Sequence, residues 1–119
     1  MAQGAVMSEV EYNEKLFKKL AGDGEAEFCN YMPRGTTGMR KWEIKVRYDD
    51  GSCKIVVISD SGFNITGKVI EINPVTTRKE RNAEIIRFYN EEGLSQVFLG
   101  NLFNVSQPTV SIIVKQNND

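Results

Sequence analysis

The spacing of apolar residues changes at Asn73-Pro74, and no other feature of the sequence limits the fold as strongly. Before this point, apolar and polar residues alternate with the period of two that a half-buried β-strand requires. After it, apolar residues recur every three or four positions, as they do in amphipathic helices. Pro74 cannot continue a central strand, because it has no backbone N–H to donate. The sequence therefore predicts an α+β protein, with its sheet before residue 73 and its helices after it.

The segment before the proline predicts a three-stranded antiparallel meander. Apolar residues alternate with charged ones in the first strand, and β-branched residues dominate the second. Residues 49–52 and 59–62 are rich in Asp, Ser and Gly, which tolerate the backbone angles of tight turns. Gly67 lies inside the third strand, where a glycine indicates a bulge or a break. The three predicted strands cover residues 41–48, 53–58 and 63–72.

A short amphipathic helix is predicted before the sheet. Val10, Phe17 and Leu20 lie at roughly helical spacing in the run that starts at Ser8, and Glu and Lys fill most other positions. The helix is expected to stop at residues 22–24, where two glycines flank an aspartate.

Two segments of this region are predicted to lack regular structure. Residues 25–38 include Pro33 and Gly35, which interrupt any periodicity, so a loop is expected there. Residues 1–7 are expected to be a flexible N-terminus or residues added for expression, because Met7 is a second candidate start. The predicted domains are a small α+β domain over residues 8–73 and a helical domain over residues 76–116.

The first helix after the proline is predicted over residues 79–92. Thr76 or Thr77 can cap its N-terminus, with Glu80 in reach for a capping box. Gly93 follows as a C-terminal cap. These signals fix both ends of the helix within a few residues.

The second and third helices, over residues 95–103 and 106–115, are predicted to cross steeply over a tight turn. Each begins with a serine that can cap it. A close crossing requires a small residue at the contact, and Gly100 fills that position. The turn requires a residue that tolerates positive φ, and Asn104 is suited to it. Apolar residues at the right spacing to seal the space between the helices are Leu99, Phe103, Val105, Val110 and Ile113.

Composition excludes several classes of function. The chain has no histidine, which is the commonest general base, and no pair of acids at a recognisable catalytic spacing. We therefore expect no enzyme and no catalytic residues. Cys29 and Cys53 form no zinc motif without histidine, so no metal or other cofactor is expected, and both are predicted to be reduced thiols in a cytoplasmic protein. Apolar runs are too short for a membrane span, and a net charge of -1 means that any DNA-binding surface must be local.

A resemblance to a known family is carried by the C-terminal block, RKERNAEIIRFYNEEGLSQVFLGNLFNVSQPTVSIIVK. It resembles the three-helix DNA-binding domain shared by site-specific resolvases, invertases, transposase N-termini and many phage or plasmid regulators. The shared pattern is a helix ending in Gly, then Leu-Ser-Gln, a small residue, an apolar turn and Val-Ser-x-x-Thr-Val-Ser. The resemblance implies that residues 76–116 form a helix-turn-helix DNA-binding domain, in which residues 107–115 are the recognition helix.

The resemblance further implies that Gln107, Pro108, Ser111 and Ile112 face the bases. Gln107 can form two hydrogen bonds with adenine, Ser111 can bond donors or acceptors, and Pro108 or Ile112 can contact a thymine methyl. Family members often point an Arg or Lys at guanine from this helix, whereas this chain does not, so the expected affinity is modest. Phosphate contacts are expected from Ser106, Thr109, Lys115, Arg78, Lys79 and Arg81.

A basic excess between residues 34 and 54 indicates a candidate second nucleic-acid surface, on the strand face opposite Trp42 and Ile44. One interpretation is a β-ribbon in a groove or a track for phosphates, which a weak resemblance to the three-stranded sheets of phage integrases favours. The same charges also suit a solvated face whose lysines guard an edge, or a surface for partner docking or dimerisation. The residues concerned are Arg40, Lys41, Lys45 and Arg47.

Together these patterns predict a small sequence-specific transcriptional regulator, such as a repressor, of phage, plasmid or other mobile-element origin. One helix-turn-helix covers only a few base pairs, so a homodimer on a palindrome of double-stranded DNA is expected. The alternative is a non-enzymatic protein-interaction module, such as a phage-encoded inhibitor or adaptor of a host nucleic-acid-binding complex. No membrane is expected among the partners, and the sheet domain is a candidate surface for a protein partner.

Overall fold

The computed structural model describes residues 10–33 and 38–117, so the prediction for residues 1–7 falls outside the described part of the chain. The chain divides into two compact units between Ile72 and Asn73. The predicted α+β class is confirmed. The elements are α1 (Glu14–Ala21), β1 (Glu25–Met32), β2 (Arg40–Arg47), β3 (Cys53–Asp60), β4 (Ile65–Glu71), α2 (Arg78–Glu91), α3 (Gln96–Phe103) and α4 (Gln107–Asn117).

The sheet of the first unit has four antiparallel strands in the order β1-β2-β3-β4, so the prediction of three strands was wrong. The additional strand, β1, lies in the segment that was expected to be a loop. Seven of its eight residues are half-buried, so no clear alternation of apolar and polar side chains appears in its sequence. A bulge between Ala26 and Phe28 also shifts the pairing with β2, and a bulge disrupts the period-two pattern that identifies a strand.

Gly67 does not form the predicted bulge or break. The pairing of β3 with β4 keeps one register from Lys54–Glu71 to Asp60–Ile65. The glycine instead lies beneath α1, where a Cβ atom at position 67 would meet Cδ1 of Leu20, at the end of a flexible side chain.

The helix α1 covers one face of the sheet but begins later than predicted. Asn13 caps it, with its side chain accepting a hydrogen bond from the backbone N–H of Leu16 at 2.9 Å. Val10 therefore precedes the helix, and its carbonyl accepts a hydrogen bond from Nε1 of Trp42 at 2.9 Å. The core on this face consists of Phe17, Ala21, Trp42, Ile44, Val46, Val56 and Ile58.

The second unit contains α2, α3 and α4, whose predicted caps are confirmed. Thr77 and Glu80 form a reciprocal capping box at the start of α2. Gly93 adopts a φ of 70° just after α2, and Ser95 caps α3 by accepting from the backbone N–H of Phe98 at 3.1 Å. The buried apolar side chains of this unit are Ile85, Phe88, Leu94, Phe98, Leu99, Val110, Ile113 and Val114.

No single helix of the described residues is long and apolar enough to cross a membrane. The α3 and α4 helices would reach that length together, but the chain bends by 109° between them.

Candidate nucleic-acid interface

The three residues Asn104–Ser106 turn the chain between α3 and α4, and the two helices are bent by 109° relative to each other. Asn104 ends α3 with φ 57° and ψ 46°, the left-handed conformation expected there. It is the only described non-glycine residue with a positive φ. Asparagine tolerates this conformation better than most residues, because its short side chain bonds locally. The backbone N–H of Val105 then donates to the carbonyl of Gly100 at 2.9 Å.

Gly100 allows the backbone of the turn to lie directly against α3. A Cβ atom at this position would sit 2.8 Å from the carbonyl oxygen of Val105, which is closer than van der Waals contact allows. The obstacle is backbone and cannot rotate away as a flexible side chain can. The expectation of a small residue at this contact is therefore confirmed.

Gly100→Ala is expected to lower the free energy of unfolding by about 1–2 kcal/mol, because overpacking of this kind usually costs about 1–3 kcal/mol. The sign of the change in stability is informative, because replacing glycine by alanine stabilises a helix by about 1 kcal/mol where space is free. Urea denaturation followed by helical circular dichroism measures the change. Asn101→Ala, at the exposed neighbouring position, is the control and should leave stability nearly unchanged. A more stable Gly100→Ala variant would contradict the close contact.

Ser106 caps α4, as its sequence position predicted. Its Oγ accepts a hydrogen bond from the backbone N–H of Thr109 at 3.2 Å and lies 2.8 Å from the hydroxyl of Thr109. Ser106 and Thr109, both predicted to contact phosphate, therefore already bond to each other. Pro108 lies in the first turn of this helix, where a missing N–H is tolerated.

The two sides of α4 differ in burial. Val110 and Val114 are buried, together with Ile113. Pro108 and Ile112 lie on the opposite side, since each residue advances by about 100° around a helix. Ile112 is 55% exposed. The outer face of α4 thus consists of Pro108, Ser111, Ile112 and Lys115, with the exposed Gln107 at its start.

The predicted phosphate-binding residues of α2 divide between two sides of the helix. Arg78 and Arg81 precede the buried Ile85 and Phe88 at helical spacings on one side of the helix, but Arg78 is exposed and Arg81 is half-buried. Arg81 also donates to Oδ1 of Asn82 at 2.9 and 3.2 Å. Lys79 lies about 100° from Arg78 and about 160° from Arg81 around the helix, and it is exposed.

Two of the carboxylates on α2 take part in local bonds. Glu80 accepts hydrogen bonds from the backbone and side chain of Thr76, both at 2.9 Å, and these lower the pKa of its carboxyl group. Glu84 forms a two-pronged ion pair with Arg87 at 2.8 and 3.1 Å, which lowers the pKa of Glu84. Both acids are therefore anionic at neutral pH, and each is bonded to residues close to it in the sequence.

The four basic residues of β2 do not share one face of the sheet. Arg40 alternates with Lys41 and lies on the same face as Trp42, over whose ring its guanidinium packs at 4.9 Å. It also donates to Oδ2 of Asp60 from Nε at 3.1 Å and from Nη2 at 2.9 Å. This placement corrects the expectation that the whole basic excess lies opposite Trp42.

Ion pairing reduces the charge available on the other face as well. Nζ of Lys45 lies 3.0 Å from Oε1 of Glu27, and Glu43 lies between Lys41 and Lys45. Arg47 is exposed at the end of the strand. The charges along β2 therefore do not form a continuous cationic track.

The burial of Glu43 is a further feature of the sheet that the sequence did not predict. Glu43 alternates with the core residues as a solvent-facing charge would, yet it is fully buried. Its Oε1 accepts a hydrogen bond from Nδ2 of Asn30 at 2.9 Å. Burial, with the nearby Glu43 as a smaller cause, raises the pKa of the Cys29 thiol to about 12. Cys29 is thus a protonated thiol at neutral pH and a poor nucleophile.

Within residues 10–33 and 38–117, no group of three or more Cys, Asp or Glu side chains could hold a metal ion. Comparison of the chain with protein-family models, with curated proteins and with solved structures gave no match.

Proposed function

We propose that α2, α3 and α4 form a helix-turn-helix unit that binds double-stranded DNA, with α4 as the recognition helix. The observation that carries this proposal is the 109° bend between α3 and α4 over a three-residue turn. Helix-turn-helix units place their two helices at about 90–120° with a turn of this length. The tight contact at Gly100 and the left-handed Asn104 support the same geometry, since both serve the turn itself.

The outer face of α4 suits the major groove in both size and chemistry. A helix enters this groove with the residues near its N-terminus closest to the base edges. Gln107 and Pro108 lie in that first turn and are exposed, and Ser111 and Ile112 follow one turn later. An amide, a hydroxyl and apolar groups can together distinguish A·T from G·C pairs, because they match the adenine edge and the thymine methyl. Lys115, at the far end, is positioned to contact phosphate.

A unit with this face is best suited to regulating transcription as a sequence-specific repressor of the phage, plasmid or mobile-element type. Few cations flank it, since Arg78, Lys79, Arg81 and Lys115 are the basic residues of the second unit besides the ion-paired Arg87. Non-specific affinity therefore depends on a small number of phosphate contacts. Two copies on a palindrome double these contacts, which is why a homodimer is part of the proposal.

Two substitutions on α4 test this assignment. Gln107→Ala is expected to weaken binding to the specific site by about 1–3 kcal/mol and to relax the preference at one base pair. Lys115→Ala is expected to weaken all sequences alike and to reduce the salt dependence by about one phosphate contact. Fluorescence anisotropy with random-sequence duplex and with duplex from the DNA upstream of the protein's own coding region, at two salt concentrations, measures both.

The matched control is Gln116→Ala, on the exposed last turn of α4 and outside the predicted base contacts. It should leave both affinities unchanged. Equal losses on specific and random DNA for Gln107→Ala and Lys115→Ala would contradict the assignment of α4. No binding of the wild-type chain to either duplex at low salt would contradict DNA binding altogether.

A second candidate function is a protein-interaction module. Its support is the apolar exposure of this unit, since Ile112 on α4 is 55% exposed and Val97 on α3 is 44% exposed. Each of these exposed side chains suits contact with a partner protein, as an inhibitor or adaptor requires, and Ile112 also suits contact with a thymine methyl. The Ile112→Ser variant separates the two functions: DNA binding predicts a changed base preference, whereas a docking surface predicts unchanged titrations with DNA.

A further inference from the structure

We propose that the free edge of β4 is a dimerisation surface, where β4 pairs antiparallel with β4 of a second copy about a two-fold axis at Gly67. The inference deepens the proposed function and takes from it only the need for two copies. Its support comes from the first unit alone.

The two edges of the sheet differ in how they are protected. Along β1, a bulge interrupts the pairing at Glu27, and bulges and charged residues are the usual means of preventing contact between edges. The β4 strand is regular over its whole length, and no further strand of the described residues pairs with its outer side. It is therefore a regular edge strand of the sheet, the kind of strand on which another chain can pair.

Large apolar side chains are exposed along this edge. Ile65 is 45% exposed and Val69 is 37% exposed, and both lie on the face that α1 covers. Phe63, in the turn just before β4, is completely exposed. Exposed apolar residues that cluster on a regular edge strand indicate a surface for another chain.

One register of self-pairing matches these residues to each other. An axis at Gly67 places Ile65 opposite Val69 of the second copy, and Val69 opposite its Ile65, so that two apolar pairs form on one face. Thr66 and Lys68 face each other on the opposite face. An axis at Lys68 would instead oppose two lysines, which destabilises a strand pair. The Gly67 axis also removes both exposed apolar residues from water.

Charge complementarity favours the same register. Lys15 and Lys19 of α1 flank a shallow groove beside Ile65. With the axis at Gly67, Glu71 of the second copy falls on this face, two residues beyond the Val69 that opposes Ile65. Its side chain is 73% exposed beside Lys54. Opposite charges thus meet at both ends of the pairing, as the two-fold symmetry requires.

Sedimentation equilibrium of the full chain without DNA tests this proposal. The wild-type chain is expected to form a dimer whose population rises with concentration. Ile65→Lys and Val69→Glu each place a charge opposite an apolar side chain twice per dimer, so each should raise the dissociation constant about tenfold or more. The combined variant places the new lysine opposite the new glutamate twice. It should therefore restore the dissociation constant to within about threefold of wild type.

The control is Val97→Lys, which charges an apolar position of similar exposure in the second unit and should leave the dimer unchanged. A wild-type chain that stays monomeric at every concentration would overturn the proposal, as would a single variant that dimerises like wild type. Failure of the combined variant to recover would overturn the Gly67 register. Sedimentation is measured without DNA, so its result does not depend on the anisotropy titrations. If the chain is a monomer that binds DNA, only the dimer surface is wrong. If it is a dimer that binds no DNA, only the proposed function is wrong.

Discussion

Trp42→Ala is expected to lower the free energy of unfolding of the sheet unit by about 3–5 kcal/mol, the usual cost of removing a buried aromatic side chain. Trp42 is 2% exposed and belongs to the core beneath α1. Its ring lies 5.2 Å from that of Tyr31 and under the guanidinium of Arg40. Its Nε1 also ties the segment before α1 to the sheet through the carbonyl of Val10. One substitution therefore opens a cavity and removes a hydrogen bond together.

Two further variants separate these contributions. Trp42→Phe keeps part of the packing but loses the hydrogen bond to Val10, so a smaller loss is expected than for alanine. Phe63→Ala removes an aromatic ring that is completely exposed and should leave the stability of the monomer nearly unchanged. Urea denaturation at low protein concentration, followed by the strand signal of circular dichroism, compares the three. Equal effects of Trp42→Ala and Phe63→Ala would contradict the placement of the core.

Phe98→Ala is expected to cost the helical unit a similar amount, about 3–5 kcal/mol. Phe98 lies on α3, is fully buried, and ranks among the largest enclosed side chains of the chain. A three-helix unit of this size has a small core, because small domains bury a smaller fraction of their surface than large ones. The loss of one large ring from it should remove most of its stability.

Helical circular dichroism follows this unit, because most helical residues lie in α2–α4. The single tryptophan, Trp42, reports on the sheet unit by fluorescence. Val97→Ala is the matched control, since Val97 lies next to Phe98 on α3 but is 44% exposed. An unchanged helical transition in Phe98→Ala would mean that α3 does not form the centre of this core. DNA binding should fall with the helical signal, because the recognition face depends on the position of α4.

The helical half could be predicted from the sequence because its signals act over short distances. Thr77 and Glu80 bond to each other three residues apart, Ser106 bonds to Thr109, and Asn104 needs only its own backbone conformation. The start of α1 was predicted wrongly because it depends on a contact with a residue far away in the sequence. Val10 has a helical spacing to Phe17, but its carbonyl bonds to a tryptophan that lies 32 positions away.

The sequence by itself determined the α+β class, the caps, the turn between α3 and α4, and the alternation of β2. Only the tertiary structure decided that β1 is a strand, since its register depends on pairing Glu25 with Arg47 across the intervening chain. It also decided that Glu43 is buried against Asn30 and that Arg40 and Lys45 are held in ion pairs. Periodicity reports which face of a strand a side chain occupies, because the strand alternates by its own geometry. What covers that face, and which charges meet there, depends on residues brought together only by folding.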